Sequence, residues 1–240
     1  MEPLVAAQEP RRPVTHAITA EITGWITSGR FKPGDHLPSE GDLAKAFNVS
    51  KPSVRESLKH LVAIGAVEIS HGRPATVRAM GSQPLVTFFH LAVTDESGGL
   101  REAIELRRGL EIQSTLLATE RRTEDDIAEM GRLIALLDKH KSERDLWVPA
   151  HVAFHVALVK AAHNRFYTFL QDALQETIER TNRHLLAAQP RRDADVAFRR
   201  HLDLFDAIKS GDTGRARTAI ETHFEAVDVV LKSSLSGASA

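Results

Sequence analysis

The chain has no cysteine. That excludes a disulfide-stapled scaffold, a thiolate metal centre and a cysteine nucleophile, and it suits a reducing compartment. Long apolar runs are missing too: no stretch approaches the roughly 18–20 residues of a membrane span. The opening residues, MEPLVAAQEPRR, carry their basic pair after the apolar part and lack the hydrophobic centre of a secretory signal. A cytoplasmic chain with no membrane partner is the expectation. An excess of one charge is also lacking, since 31 Lys+Arg face 32 Asp+Glu, so bulk charge points to no polyanion.

What is present is an ordinary globular composition, 42% hydrophobic and 26% charged, spread over 240 residues. It rules out a wholly disordered chain, and the length suggests two domains. Twelve histidines are the compositional oddity. Charge becomes informative once divided. Residues 1–80 hold ten Lys/Arg against eight Asp/Glu, and within 45–78 six basic residues (Lys45, Lys51, Arg55, Lys59, Arg73, Arg78) face two acidic ones (Glu56, Glu68). A basic block on a near-neutral chain is the footprint of a polyanion-facing surface, or of a solvated charged face.

Residues 1–12 read as a flexible tail. From Thr15 the apolar positions Ile18, Ile22, Trp25 and Ile26 recur at helical spacing until Gly29. A turn-rich RFKPGDHLP follows. Ser39 with Asp42 three residues on signals the start of a second helix, buried through Leu43 and Phe47. Ser50 caps a third, with Pro52 in its first turn, a stripe of Val54, Leu58 and Leu61, and a stop at Gly65. Val67–Ile69 and Thr76–Arg78 read as short strands around the turn His71-Gly72-Arg73-Pro74. Two short helices joined by a tight turn and followed by a hairpin make a winged helix-turn-helix over 13–80. Its third helix turns Lys51, Ser53, Arg55 and Lys59 outward, where a recognition helix meets phosphates and base edges.

The run ITSGRFKPGDHLPSEGDLAKAFNVSKPSVRESLKHLVAIGAVEISHGRPATV resembles the DNA-binding domain of GntR-family bacterial transcription regulators. It shares their "P-G-x-x-L-P-S-E" lead, their "V-S-x-x-x-V-R-E-x-L" helix and their "G-x-V" approach to the wing. The resemblance implies operator contacts from Arg55 and Lys51, and a DNA-facing set of Ser39, Lys51, Ser53, Arg55, Lys59, His71, Gly72 and Arg73. Where the family commonly has arginine after the "P-S-E" glutamate, this chain has Gly41.

Residues 81–98 break the composition with Gly and Ser at both ends, and read as a linker whose apolar centre forms a short docking helix. From 99 to 232 the pattern is helical, with candidate helices over 100–121, 124–141, 143–162, 165–187, 193–210 and 213–232. The expected fold is therefore mainly α: an N-terminal winged helix-turn-helix plus a C-terminal all-helical bundle of six to seven antiparallel helices, closed by a flexible tail at 233–240. Three of these helices carry histidine on the stripe that should be buried: His151 and His155 with Phe154 and Leu158, His201 with Leu204 and Phe205, and His223 with Ile220 and Phe224. An unpartnered buried imidazole loses its hydration without return. One shared divalent ion satisfies all four, and His151 and His155 are one turn apart as two ligands of one ion would be.

Residues 100–232 resemble the all-helical ligand-binding domain, called FCD, of FadR-type GntR regulators. The marks are Arg107, Leu110 and Glu111, the run from Phe154 and His155 to Asn164, His201 before the turn Gly211-Asp212, and His223. In metal-binding members an aspartate stands where this chain has His151. An all-imidazole set favours zinc or nickel over magnesium or calcium. The resemblance further implies that the metal and an arginine on the first long helix, here Arg107, hold the carboxylate of a small effector. Without that role Arg107 is half of an i, i+4 surface pair with Glu111.

The expected function is a DNA-binding transcription regulator, a repressor, whose operator affinity is set by a small organic acid bound at the metal. A homodimer would meet a near-palindromic operator. The rival is a histidine-site metalloenzyme of hydrolase type, for which no HExxH-like glutamate accompanies His151 and His155. A helical domain serving only dimerisation, and a response to acyl thioesters suggested by the wing, are the remaining alternatives.

Overall fold

The computed structural model describes residues 14–92, 98–187 and 193–236; the expected tail at 1–12 lies outside them. The chain divides into two units, Met1–Pro84 and Leu85–Ala240. No helix among the described residues is long and apolar enough to cross a membrane.

The first unit is built from α1 (Val14–Thr27), α2 (Glu40–Phe47), α3 (Lys51–Ala63) and the strands β1 (Val67–Glu68) and β2 (Thr76–Val77). Local chemistry sets each boundary. The Ser39 hydroxyl accepts the Asp42 N–H to start α2, and Asn48, in the left-handed region at φ 52°, ends it. Two residues later the Ser50 hydroxyl accepts the Ser53 N–H and opens α3, so the helix-turn-helix corner is made by two caps and little else. Gly65, at φ 74°, turns the chain out of α3. β1 and β2 pair antiparallel with Val67 opposite Val77, and a bridge from His36 to Thr76 adds a third edge. Ile18, Ile22, Leu43, Val54, Leu58, Leu61, Val67 and Val77 form the core. Trp25, expected inside, is half-buried and stacks on Phe47 at 5.5 Å.

The second unit holds α5 (Gly98–Arg121), α6 (Glu124–Lys139), α7 (Arg144–Ala161), α8 (Arg165–Ala187), α9 (Ala194–Ser210) and α10 (Thr213–Ser236). They are preceded by α4 (Gln83–Ala92), the short helix expected in the linker, whose Phe89 packs against this unit's core. A reciprocal box between Thr123 and Asp126 starts α6, Asp193 caps α9, and Gly211 at φ 79° ends it. α10 continues to Ser236, past the boundary that its apolar pattern suggested at 232.

α7 decides the arrangement. The sequence suggested one buried stripe, His151-Phe154-His155-Leu158, and all four are buried, but so are Trp147, Val148, Val152 and Val159. The helix is enclosed by α5, α6 and α8. With ten of its eighteen residues buried, the helix leaves the polar side chains among them no water to turn to. Its two histidines must be satisfied from within.

Candidate metal and DNA-reading sites

His151 and His155 of α7, His201 of α9 and His223 of α10 converge in the interior of the second unit. Each offers a ring nitrogen within 4.8 Å of those of the other three. The ring centroids form a closed square: His151–His155 4.6 Å, His155–His223 4.8 Å, His223–His201 4.9 Å and His201–His151 4.9 Å. All four side chains are buried.

The outer edges of this square are pinned. His201 Nδ1 lies 2.8 Å from the Ala197 carbonyl one turn back, so Nδ1 carries the proton and Nε2 the lone pair. His155 Nδ1 lies 2.6 Å from Glu111 Oε2, while Glu111 Oε1 accepts a hydrogen bond from Arg107 Nε, also at 2.6 Å. Trp147 covers His151 as a nearly parallel plate at 4.6 Å. Arg107, Glu111 and His155 thus form a buried relay from α5 to α7. The i, i+4 pair of Arg107 with Glu111 exists, but as an interior pair rather than a surface one, with 3% and 0% of the side chains exposed.

Electrostatics follow from burial. Loss of hydration pushes the pKa of His151 and His223 well below the ordinary imidazole value, and neighbouring rings and Arg107 push the same way. His155 is lowered for the same reason, with Glu111 opposing. Burial alone would raise Glu111; the charges and hydrogen bonds of Arg107 and His155 outweigh it and hold the carboxyl down to about 2. Burial thus favours the neutral imidazole at His151, His155 and His223, beside an Arg107–Glu111 ion pair that cancels itself.

Such a set fits a divalent ion. His155 Nε2 and His223 Nε2 are buried with no hydrogen-bond partner, and a Lewis acid shared between them would satisfy both. Bonds of about 2.1 Å put ligand atoms no more than about 4.2 Å apart, so the widest pair has to close by a fraction of an ångström. Carboxylate–histidine support of the Glu111–His155 kind is the usual second layer of such sites. Arg107 adds a buried Nη2 with no hydrogen-bond partner. Glu111 Oε1 accepts from Arg107 and Oε2 lies against His155 Nδ1, so the carboxylate is placed to support these two side chains.

Sequence reasoning found the four histidines and Arg107 but not the role of Glu111 or Trp147. Nor did it find the buried Ser114, Thr115 and Gln171, whose side-chain polar atoms have no hydrogen-bond partner. A signal existed for Glu111, because it continues a stripe through Ile104, Arg107, Ser114 and Ala118 at helical spacing, all of them buried.

The expected DNA-facing residues are gathered on one side of α3 and on the wing turn. Lys51, Arg55 and Lys59 are exposed, as are His71, Gly72 and Arg73. Ser53 is half-buried, its hydroxyl 2.8 Å from that of Ser50, and Ser39 is engaged as the cap of α2. Lys59 pairs with Glu56 at 2.8 Å. Arg55 is clamped by Glu40, a contact that the sequence did not disclose.

Comparison with known proteins agrees unit by unit. Residues 15–77 match the gntR family of bacterial regulatory proteins, and residues 102–226, just over half of the chain, match the FCD domain. The HTH-type transcriptional regulator LutR of Bacillus subtilis (strain 168) is 29% identical over 210 residues, covering 86% of this chain and 95% of that protein. The HTH-type transcriptional repressor NanR of Edwardsiella tarda (strain FL6-60) is 28% identical over 227 residues, covering 90% and 85%. The solved structure of Streptococcus agalactiae GntR shares the fold with a TM-score of 0.69 at 20% identity, covering 89% of this chain and 98% of that one. The chain belongs to the FCD-containing branch of the gntR family, and is a DNA-binding transcription regulator with a ligand-binding helical domain rather than an enzyme.

Proposed function

We propose that this regulator is a cytoplasmic homodimeric repressor whose operator affinity is set by a small organic acid bound at a metal ion in the FCD domain. The convergence of four buried imidazoles from α7, α9 and α10 carries this reading. His151, His155, His201 and His223 hold the ion. Their neutral nitrogen donors select zinc or nickel over the oxygen-seeking magnesium and calcium. The ion supplies Lewis acidity toward a carboxylate, and the unengaged Nη2 of Arg107 supplies a charge-assisted hydrogen bond to the same group. A compact acid suits this interior better than a long acyl chain, because Arg107 has an unpartnered buried Nη2 for a carboxylate while Trp147, Phe154 and Phe224 pack against the rings. On the DNA side, Arg55 and Lys51 meet the operator with Lys59, Ser53 and Ser39, while His71, Gly72 and Arg73 bring the wing to the backbone. Two copies related by a two-fold axis read a near-palindromic site. Domain limits of 13–80 and 99–232, with the linker between, accommodate both functions.

The test is elemental analysis of protein purified without chelator, for wild type and for His155→Ala, His201→Ala and His223→Ala, with thermal shifts by short hydroxy-, keto- and dicarboxylic acids. About one zinc or nickel per chain is expected in wild type and little in each variant, with acid-induced shifts seen only in metal-loaded protein. Unchanged metal content in His155→Ala and His223→Ala would reduce these histidines to core residues.

A further inference from the structure

Arg55 stands on the second turn of α3 and Glu40 is the first residue of α2, so their contact joins the two halves of the helix-turn-helix. The contact is two-pronged: Nε donates to Glu40 Oε1 at 3.1 Å and Nη2 donates to Oε2 at 2.7 Å. A guanidinium has five N–H donors in one plane. A side-on clamp of this kind uses the Nε proton and the adjacent Nη2 proton. The outer edge, made of the other Nη2 proton and the two on Nη1, stays available. That outer edge is able to pair with O6 and N7 of guanine in the major groove. An arginine on an exposed helix face otherwise samples many rotamers, and holding its plane lowers the entropy lost on binding.

The surroundings show why a carboxylate is tolerated on a face that meets phosphates. Lys51, one turn before Arg55, runs back over Gly41: its Cε and Nζ lie 3.6 and 3.8 Å from the place a Gly41 Cβ would take. Glu40 thus sits between two cations, and Arg55, through its hydrogen bond first and its charge next, holds the carboxyl ionised with Lys51 adding to it. Side-chain exposure is 56% for Arg55 and 32% for Glu40. A solvated pair of that kind adds little to stability, so stability alone does not account for it.

We propose that Glu40 is a positioning residue for base readout, which fixes the plane of Arg55 so that its outer edge points at a guanine. This rests on the assignment of α3 as the DNA-reading helix, and the experiment separates the two. Binding sites are selected from a random duplex library with the full-length protein. Anisotropy titrations then compare the selected duplex, versions with each guanine pair exchanged, and an unrelated duplex. The proteins are wild type, Glu40→Gln, Glu40→Ala, Arg55→Ala and the Glu40→Ala/Arg55→Ala double variant, each with its melting temperature recorded. Arg55→Ala should lose discrimination at one guanine pair by roughly 5- to 150-fold, the range of a bidentate contact. Glu40→Ala and Glu40→Gln should lose most of the same discrimination at the same pair, while affinity for the unrelated duplex holds or rises because a negative charge has gone. The double variant should be no worse than Arg55→Ala, since the two act as one unit. Wild-type discrimination in both Glu40 variants, with Arg55→Ala impaired, would overturn the positioning role alone. An equal affinity loss on every duplex, or a lowered melting temperature with discrimination intact, would overturn it in favour of a structural tie. Undiminished discrimination in Arg55→Ala would overturn both readings.

Discussion

Glu111 offers the sharpest test of the interior site, because it bears on His155 of the histidine cluster and on the stability of the helical domain at once. In Glu111→Gln the side chain keeps its volume but loses its charge. Arg107, with 3% of its side chain exposed, is left as an uncompensated cation in the core, and the acceptor of the His155 Nδ1 proton is weakened. Breaking a buried pair from one side costs about 3–5 kcal/mol. For a domain the size of Leu85–Ala240, each kcal/mol is about 2–4 °C, so the melting temperature should fall by about 6–20 °C. Weakening a ligand's second-layer support costs about 10–100-fold in metal affinity. The two effects separate in Arg107→Met/Glu111→Leu, which removes both charges and fills the space with apolar atoms. That double variant should regain most of the lost melting temperature, since a buried pair replaced by apolar side chains is often neutral. Its metal affinity should stay low. The assays are calorimetric unfolding in chelator and competition for zinc against a chromophoric chelator. A Glu111→Gln protein that melts and binds zinc like wild type, or a double variant no more stable than the single one, would refute the relay.

In metal-free protein, stability should fall as pH drops below about 6.5, because the unfolded chain protonates His151, His155 and His223 there while burial holds the folded-state pKa values lower. Each contributes up to about 1.4 kcal/mol per pH unit, and urea titrations in chelator at neutral and mildly acidic pH would measure it; a flat profile contradicts neutral burial. Asp126→Ala removes the acceptor of the Thr123 N–H at 2.8 Å and of the His163 ring at 2.8 Å. It should cost about 1–2 kcal/mol with no change in metal content by elemental analysis. Gly211→Ala places a Cβ 2.9 Å from Arg122 Nη2 at φ 79°. It should cost about 1–3 kcal/mol, against no loss if the αL turn at the end of α9 can relax.

What the sequence disclosed about the fold is what local chemistry controls. Ser39, Ser50, Thr123 and Gly211 act on backbone groups within a few residues, so their cap roles could be read directly. The histidine cluster was legible for a different reason: three helices each carried histidine in phase with their apolar stripe, and helices of one domain turn those stripes to a common centre. Contacts between elements were not legible. Nothing local brings Glu111 to His155 on another helix, and nothing local lays Glu40 against Arg55, fifteen residues on. The enclosure of α7 was missed because periodicity reveals one buried face and says little when most faces are buried. The expected linker at 81–98 holds the division between the units at Pro84 and Leu85, and the end of α10 was not legible, since a helix continues beyond its last apolar contact when nothing stops it.

His151 changes what the proposed metal would do. The resemblance to metal-binding FCD domains puts an aspartate at this place, and an aspartate would neutralise one charge of a divalent ion before any ligand arrived. Here Arg107 and Glu111 cancel one another, and burial keeps the rings of His151, His155 and His223 uncharged. A divalent ion among these four rings therefore presents its full double charge. At about 4 Å and an effective dielectric of about 20, one unit of charge on another is worth about 4 kcal/mol, against about 1 in water. In the proposed site, a histidine in place of an aspartate would thus trade tight holding of the cation for stronger attraction of an anion. The two demands are normally opposed, because every anionic ligand that secures a metal also repels an anionic effector. In the proposed site Glu111 would ease that opposition, since its charge supports His155 from behind while Arg107 cancels it.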